Sequence, residues 1–195
     1  MTSNLRTCAC ILALATTLSC IGATPASQNL SVEMGPPSNS RTFGPDLKKQ
    51  QELLATIQSP TTPPGDKAIA CKLLVIHGTD AAVPVLAPML ADPHMASWAR
   101  IALEAIPGRA ADAALRDAAG RLNGTLLVGV INSIGERRDA KAVSLLAAKL
   151  NDADSEVASA AAVALGKIGG NSAAKSLQAA LKKGSTASSA AVAEG

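Results

Sequence analysis

Few side chains in this sequence could do chemistry. His77 and His94 are its two histidines, and neither has a second ligand at metal-binding spacing. A zinc site needs several ligands converging on one point, so both histidines read as loop or cap residues. No Cys-x-x-Cys-His run is present to attach haem. Cys71 stands six residues before His77, a poor geometry for a nucleophile and base on one helix, and reads as a buried inert thiol. Asp152, Asp154 and Glu156 form the one acidic cluster. The glycine-centred loop of an EF-hand is absent around them, and acids just ahead of a helix favour its positive dipole end. Glu136-Arg137-Arg138-Asp139 reads as a solvated mixed-charge turn. Gly166-Lys167-Ile168-Gly169-Gly170 ends a helix, whereas a phosphate cradle must precede one. No nucleophile elbow, Walker loop or dinucleotide fingerprint occurs. The expectation is a non-catalytic protein with no cofactor and no metal.

The composition points to binding of another kind. Hydrophobic residues make up 48% of the 195 positions and charged residues 17%, enough apolar material for a core. Phe43 and Trp98 are the aromatic residues, with no tyrosine, which argues against recognition by ring stacking. The net charge of +3 comes from scattered Lys and Arg, and a nucleic-acid groove would need them clustered. A protein or peptide partner is expected, and no nucleic acid.

Residues 1–6 carry one positive charge and no acid, and residues 8–23 are an apolar run closing on Gly22 and Ala23. This is the pattern of a secretory signal peptide over residues 1–23. Cleavage after Ala23 is one option. The other rests on Thr17-Leu18-Ser19-Cys20, which resembles a bacterial lipoprotein box, although Thr17 stands where that family usually has leucine. In that family the cysteine is lipidated, so Cys20 is the candidate lipidation site and the one route to a membrane. The expected address is the periplasm or cell envelope of a bacterium. Three of the four cysteines lie in this leader, so Cys71 alone remains and no disulfide framework is available.

The elements that must carry any binding surface lie beyond residue 45. Residues 24–45 are rich in Pro, Ser, Asn and Gly and read as a linker. Residues 46–183 show a repeat: Ile76, Ile106, Ile134 and Ile168 each close an apolar stretch, at steps of 30, 28 and 34 residues. Three residues before them stand Leu73, Leu103, Ile131 and Leu165, which shares a helix face with each isoleucine. Leucine pairs such as Leu86 and Leu90, Leu146 and Leu150, and Leu177 and Leu181 mark a second helix after each glycine. The spacing predicts helices over 46–58, 65–77, 80–91, 94–106, 109–122, 124–134, 139–150, 154–168 and 171–183. Asp154 or Ser155 is the expected cap before Val157, Pro93 should lie near a helix start, and Pro88 should kink its helix. One such pair cannot bury its apolar stripe alone, and stacking the next pair covers it. The fold class is therefore all-α, a right-handed α-solenoid. Residues 184–195 are a small-residue tail that could open a further repeat of a longer protein.

The stretch from Leu150-Asn151-Asp152-Ala153-Asp154-Ser155-Glu156-Val157 through Ala161 and Ala162 to Ala164-Leu165-Gly166-Lys167-Ile168-Gly169 resembles a HEAT repeat. It is most similar to the short bacterial subtype named after phycobilisome lyases. The arginine that usually follows the valine is replaced by Ala158, so no inter-repeat polar ladder is expected from that position. The resemblance implies that the second helix of each pair lines a concave binding face. Aligned on the Leu–Ile pairs, that face would present Lys67, Arg100, Glu104, Asn132, Ser133 and Lys167 to a partner. Together with the leader over residues 1–23, it implies an exported interaction scaffold. The alternatives are a bilin-lyase-like protein, or the repeat module of a larger exported enzyme.

Overall fold

The computed structural model describes residues 44–184. The expected leader with Cys20, the linker up to residue 43 and the tail beyond Gly184 lie outside the described residues. The described residues form nine α-helices and no strand. None of these helices is long and apolar enough to cross a membrane.

The helices are α1 (Leu47–Gln58), α2 (Pro64–His77), α3 (Val83–Met89), α4 (Ala96–Ala105), α5 (Arg109–Ala119), α6 (Gly124–Glu136), α7 (Val143–Lys149), α8 (Ser155–Ile168) and α9 (Gly170–Lys183). Local chemistry sets their ends. Asp46 caps α1 by accepting from the Lys49 N–H at 3.1 Å, and Asp154 caps α8 by accepting from Glu156 at 2.9 Å. Pro64 opens α2 at a position whose N–H needs no partner. Asp92 accepts from the His94 N–H at 2.8 Å, which makes a turn around Pro93 and delays α4 until Ala96.

Two predicted helices, 80–91 and 139–150, are each divided. Short 3-10 turns at Asp80–Ala82 and Ala140–Ala142 precede α3 and α7. The cause is the same at both: the Thr79 and Asp139 side chains accept from the backbone two residues on, at Ala81 and Lys141. The expected kink at Pro88 is replaced by an ending. α3 stops at Met89, and its last turn tightens through the Leu90, Ala91 and Asp92 N–H groups donating three residues back. The equivalent helix α7 has Ala148 in place of the proline and is equally short. The proline is thus compatible with the ending and does not cause it.

The packing is a two-layer stack. In one layer α2 packs on α4, α4 on α6 and α6 on α8; in the other α1 packs on α3, α3 on α5 and α7 on α9. Sequential pairs α1–α2, α3–α4, α5–α6 and α7–α8 tie the layers together. This is an α-solenoid. The core between the layers is built from fully buried Leu74, Leu86, Leu103, Leu115, Ile131 and Leu146, among others. Each such side chain contributes about 1.5–3 kcal/mol. Small residues set the closest approach. A Cβ on Gly135 would lie 3.0 Å from the Ala164 Cα, so glycine lets α6 meet α8 without either backbone giving way.

The predicted core register holds through α4 and α6, slips at α2, and loosens at the other end, where Ile168 is only partly buried and Leu181 is exposed. Leu103, Ile106, Ile131, Ile134 and Leu165 are buried. At α2 the buried residues are Ala70, Cys71 and Leu74, while Leu73 is partly buried and Ile76 is 66% exposed. α2 is the first helix of its layer, so no preceding helix demands an apolar residue on that side.

Candidate functional site

The described residues hold two clefts on the α2–α4–α6–α8 layer. The first, of about 600 Å³, opens between the starts of α2 and α4 and is lined by Pro60, Thr62, Lys67, Asp92, His94 and Met95. The second, about 440 Å³, repeats it between α4 and α6, with Ser97, Arg100, Asn123, Thr125 and Leu126 on its walls. Both arise where loops separate the helix starts while the helix bodies stay packed. Of the residues expected to meet a partner, Lys67 and Arg100 line these clefts. Asn132 and Lys167 are exposed further along the layer.

The other two have internal work. Ser133 does not face a groove, because it is fully buried. Its hydroxyl donates to Glu104 Oε1 at 2.6 Å, and with the proton spent there it accepts from Arg100 Nη1 at 3.3 Å. Arg100 Nη1 also donates to the Gly129 carbonyl at 3.1 Å and lies 3.9 Å from Glu104. A Cβ at Gly129 would fall 2.9 Å from Arg100 Nε, so that glycine makes room for the guanidinium to lie across α6. Arg100, Glu104 and Ser133 are thus brought together, as a polar clamp between α4 and α6 with part of Arg100 left facing the cleft. Lys167 pairs with Glu136 of α6 at 2.5 Å, and the Lys167 ammonium holds the Glu136 carboxyl below its ordinary range.

A polar ladder does join successive pairs, from positions other than the one the repeat pattern uses. Arg137, read as part of a solvated turn, has a side chain only 10% exposed. Its Nε donates to Asp112 at 2.6 Å. Its Nη1 faces the carbonyls of Leu103, Glu104 and Ile106 at 2.8, 3.0 and 2.6 Å, and its Nη2 donates to Gly108 at 2.9 Å. One arginine therefore satisfies the carbonyl end of α4 from the far end of α6. Asp139, buried beside it, pairs with Arg116. Gln50, also buried, accepts from the Thr79 N–H at 2.6 Å. The signal missed in Arg137 was its place just past α6, where a long cation can reach a neighbouring helix end.

His77, Cys71 and the acidic cluster are tied into the fold. The Asp46 N–H donates to His77 Nδ1 at 3.4 Å, so His77 joins the end of α2 to the start of α1. Cys71 is fully buried, and burial pushes its thiol up to about 11. In the acidic cluster, Lys149 donates to Asp152 at 3.1 Å and the Asp154 N–H donates to it as well. These bonds hold the Asp152 carboxyl below its ordinary range. Trp98 carries the Lys72 ammonium 4.8 Å from its ring centre. Among the described residues no three His, Cys, Asp or Glu side chains come together as a metal site.

Among curated proteins none matches the sequence. Residues 114–194, from the middle of α5 through α9, match a family model described as HEAT repeats, which supports reading this two-layer stack as a HEAT-repeat protein.

Proposed function

We propose that this protein is a non-catalytic, exported scaffold that holds a protein or peptide along the α2–α4–α6–α8 layer, its concave face. HEAT repeats in general serve protein interactions. The observation that carries the reading is the repeated cleft between successive helix starts, with Lys67 and then Arg100 on its wall. Two similar clefts one repeat apart suit an extended partner better than a single small molecule. The one aromatic among the described residues, Trp98, has its ring engaged by Lys72. A bilin-lyase-like activity therefore has no stacking platform to recommend it.

A photo-crosslinking residue at Lys67, Asn132 or Lys167 tests the reading in cells. Each should yield an adduct of the same partner, and the same probe at Lys175 of α9, in the other layer, should not. Equal adducts from both layers, or none from the first, would overturn it. Export is tested separately by fractionation with and without residues 1–23, and lipidation by loss of fatty-acid labelling in Cys20→Ala.

A further inference from the structure

The far end of α6 carries a second, differently built cleft. It has a volume of about 250 Å³ and lies between α5, the end of α6 and the turn before α7. Four arginines and one lysine line it, against Asp112 and Asp139. Both carboxylates are spent: Asp112 on Arg137 and Asp139 on Arg116. That leaves Arg109, Arg138 and Lys141 as exposed cations with no ion pair among the described residues. Two further carboxylates lie close by: Glu136, paired with Lys167 and within the field of Arg138, and Asp80, which sits against Gly108 just ahead of Arg109.

Three like charges around so small a space repel one another. Two local features add to the cost. Arg109 is the first residue of α5, where the helix dipole disfavours a cation, and the cap there is Gly108, with no side-chain hydrogen bond. Arg138 is the one non-glycine described residue in the left-handed region, at φ 52°, a conformation that costs free energy for any side chain with a Cβ. The walls are rigid, because Arg137 is fixed by four carbonyls and Asp112, and Asp139 by Arg116 and the Lys141 N–H.

The geometry points to an anion site: Arg109, Arg138 and Lys141 converge on one doubly charged oxyanion, a phosphate group, with the Arg116 and Arg137 pairs as its fixed floor. A cleft of this size holds a single oxyanion and a few waters, and a lining of five cations against two carboxylates favours a dianion over a monoanion. The site is at the opposite end of α6 from Thr125 and Leu126, which line the groove of the proposed partner. The two readings therefore stand or fall separately.

The test is calorimetric titration of the full chain with inorganic phosphate at low ionic strength, and with a phosphoserine peptide to ask whether the group arrives free or on a chain. Saturable binding at one site is expected. Acetate at matched ionic strength should bind at least about ten-fold more weakly. Arg109→Ala, Arg138→Ala and Lys141→Ala should each weaken phosphate binding about two- to five-fold, and together by more than about ten-fold. The control Lys175→Ala/Lys182→Ala/Lys183→Ala removes the same charge from α9 and should leave binding unchanged. Binding of the peptide but not of free phosphate, lost in the triple variant alone, also supports the site. No saturation by either ligand overturns the proposal, as does equal weakening by the α9 control.

Discussion

The α2–α4 and α4–α6 junctions use the same helix packing and are fastened by different means. The first buries Ala70, Cys71 and Leu74 of α2 and leaves Ile69 and Ile76 exposed. Its one side-chain fastening between the two helices is Lys72 over the Trp98 ring, on an open flank. The second is crossed by the Arg100–Ser133–Glu104 clamp and by Arg137 on the end of α4. The difference follows from position. A helix with neighbours on both sides has buried helix ends whose carbonyls need donors, and a terminal helix has open flanks that water can satisfy. Polar cross-links therefore gather where the stack is thickest.

Removing Arg137 is the strongest way to break this comparison. Arg137→Ala leaves Asp112 unpaired and strips donors from the carbonyls of Leu103, Glu104, Ile106 and Gly108. A loss of about 3–5 kcal/mol in urea unfolding is expected. A loss under about 1 kcal/mol would mean that water replaces the guanidinium and the junction does not depend on it.

Gly135→Val tests the close approach of α6 to α8. Its side chain would run into the Ala164 backbone and Cβ at 3.0 and 3.1 Å, for a loss of about 2–3 kcal/mol. Thermal melting unchanged from the parent would show that the two helices can part freely. Ser133→Ala removes the hydroxyl linking Arg100 to Glu104 and should cost about 1 kcal/mol. At the first junction, Lys72→Ala should cost only about 0.5–1 kcal/mol. Should Lys72→Ala prove as damaging as Arg137→Ala, the contrast between the junctions is lost.

The smallest effect is one of pH. Asp152 has its carboxyl lowered by Lys149 and the Asp154 N–H. The folded state therefore binds fewer protons there than the unfolded chain. Its contribution is complete above the unfolded carboxylate range and disappears as pH falls through the lower folded value. Stability should decline on acidification below about pH 4, and less steeply in Lys149→Ala. Parallel pH profiles for parent and variant would deny Asp152 that role.

The helix pairs were legible because their signals are local and repeated. Leu103 and Ile106, then Ile131 and Ile134, read as core and are core. Misreadings came where a neighbour decided. Ile76 matches the repeat pattern but stands at an open flank, and Ser133 matches a polar groove position but turns inward to a carboxylate. Of the residues that the resemblance implied for a partner face, Lys67 and Arg100 line clefts of the α2–α4–α6–α8 layer. The cleft at Arg109, Arg138 and Lys141 had no sequence signal, since those residues come from three separate elements.

What the sequence determined by itself was the material of the stack: helix-length apolar stripes, capping residues and breaks, each set within a few residues by backbone and side-chain chemistry. What only the tertiary structure decided was the use of charge. An arginine beside a turn is a surface residue until another helix end arrives within reach of its guanidinium. Arg137 acquired that neighbour and became a fastening, whereas Arg138, one residue later, takes a left-handed backbone and stays exposed. Coulomb and hydrogen-bond energies depend on distances across the stack, and no spacing along the chain encodes those.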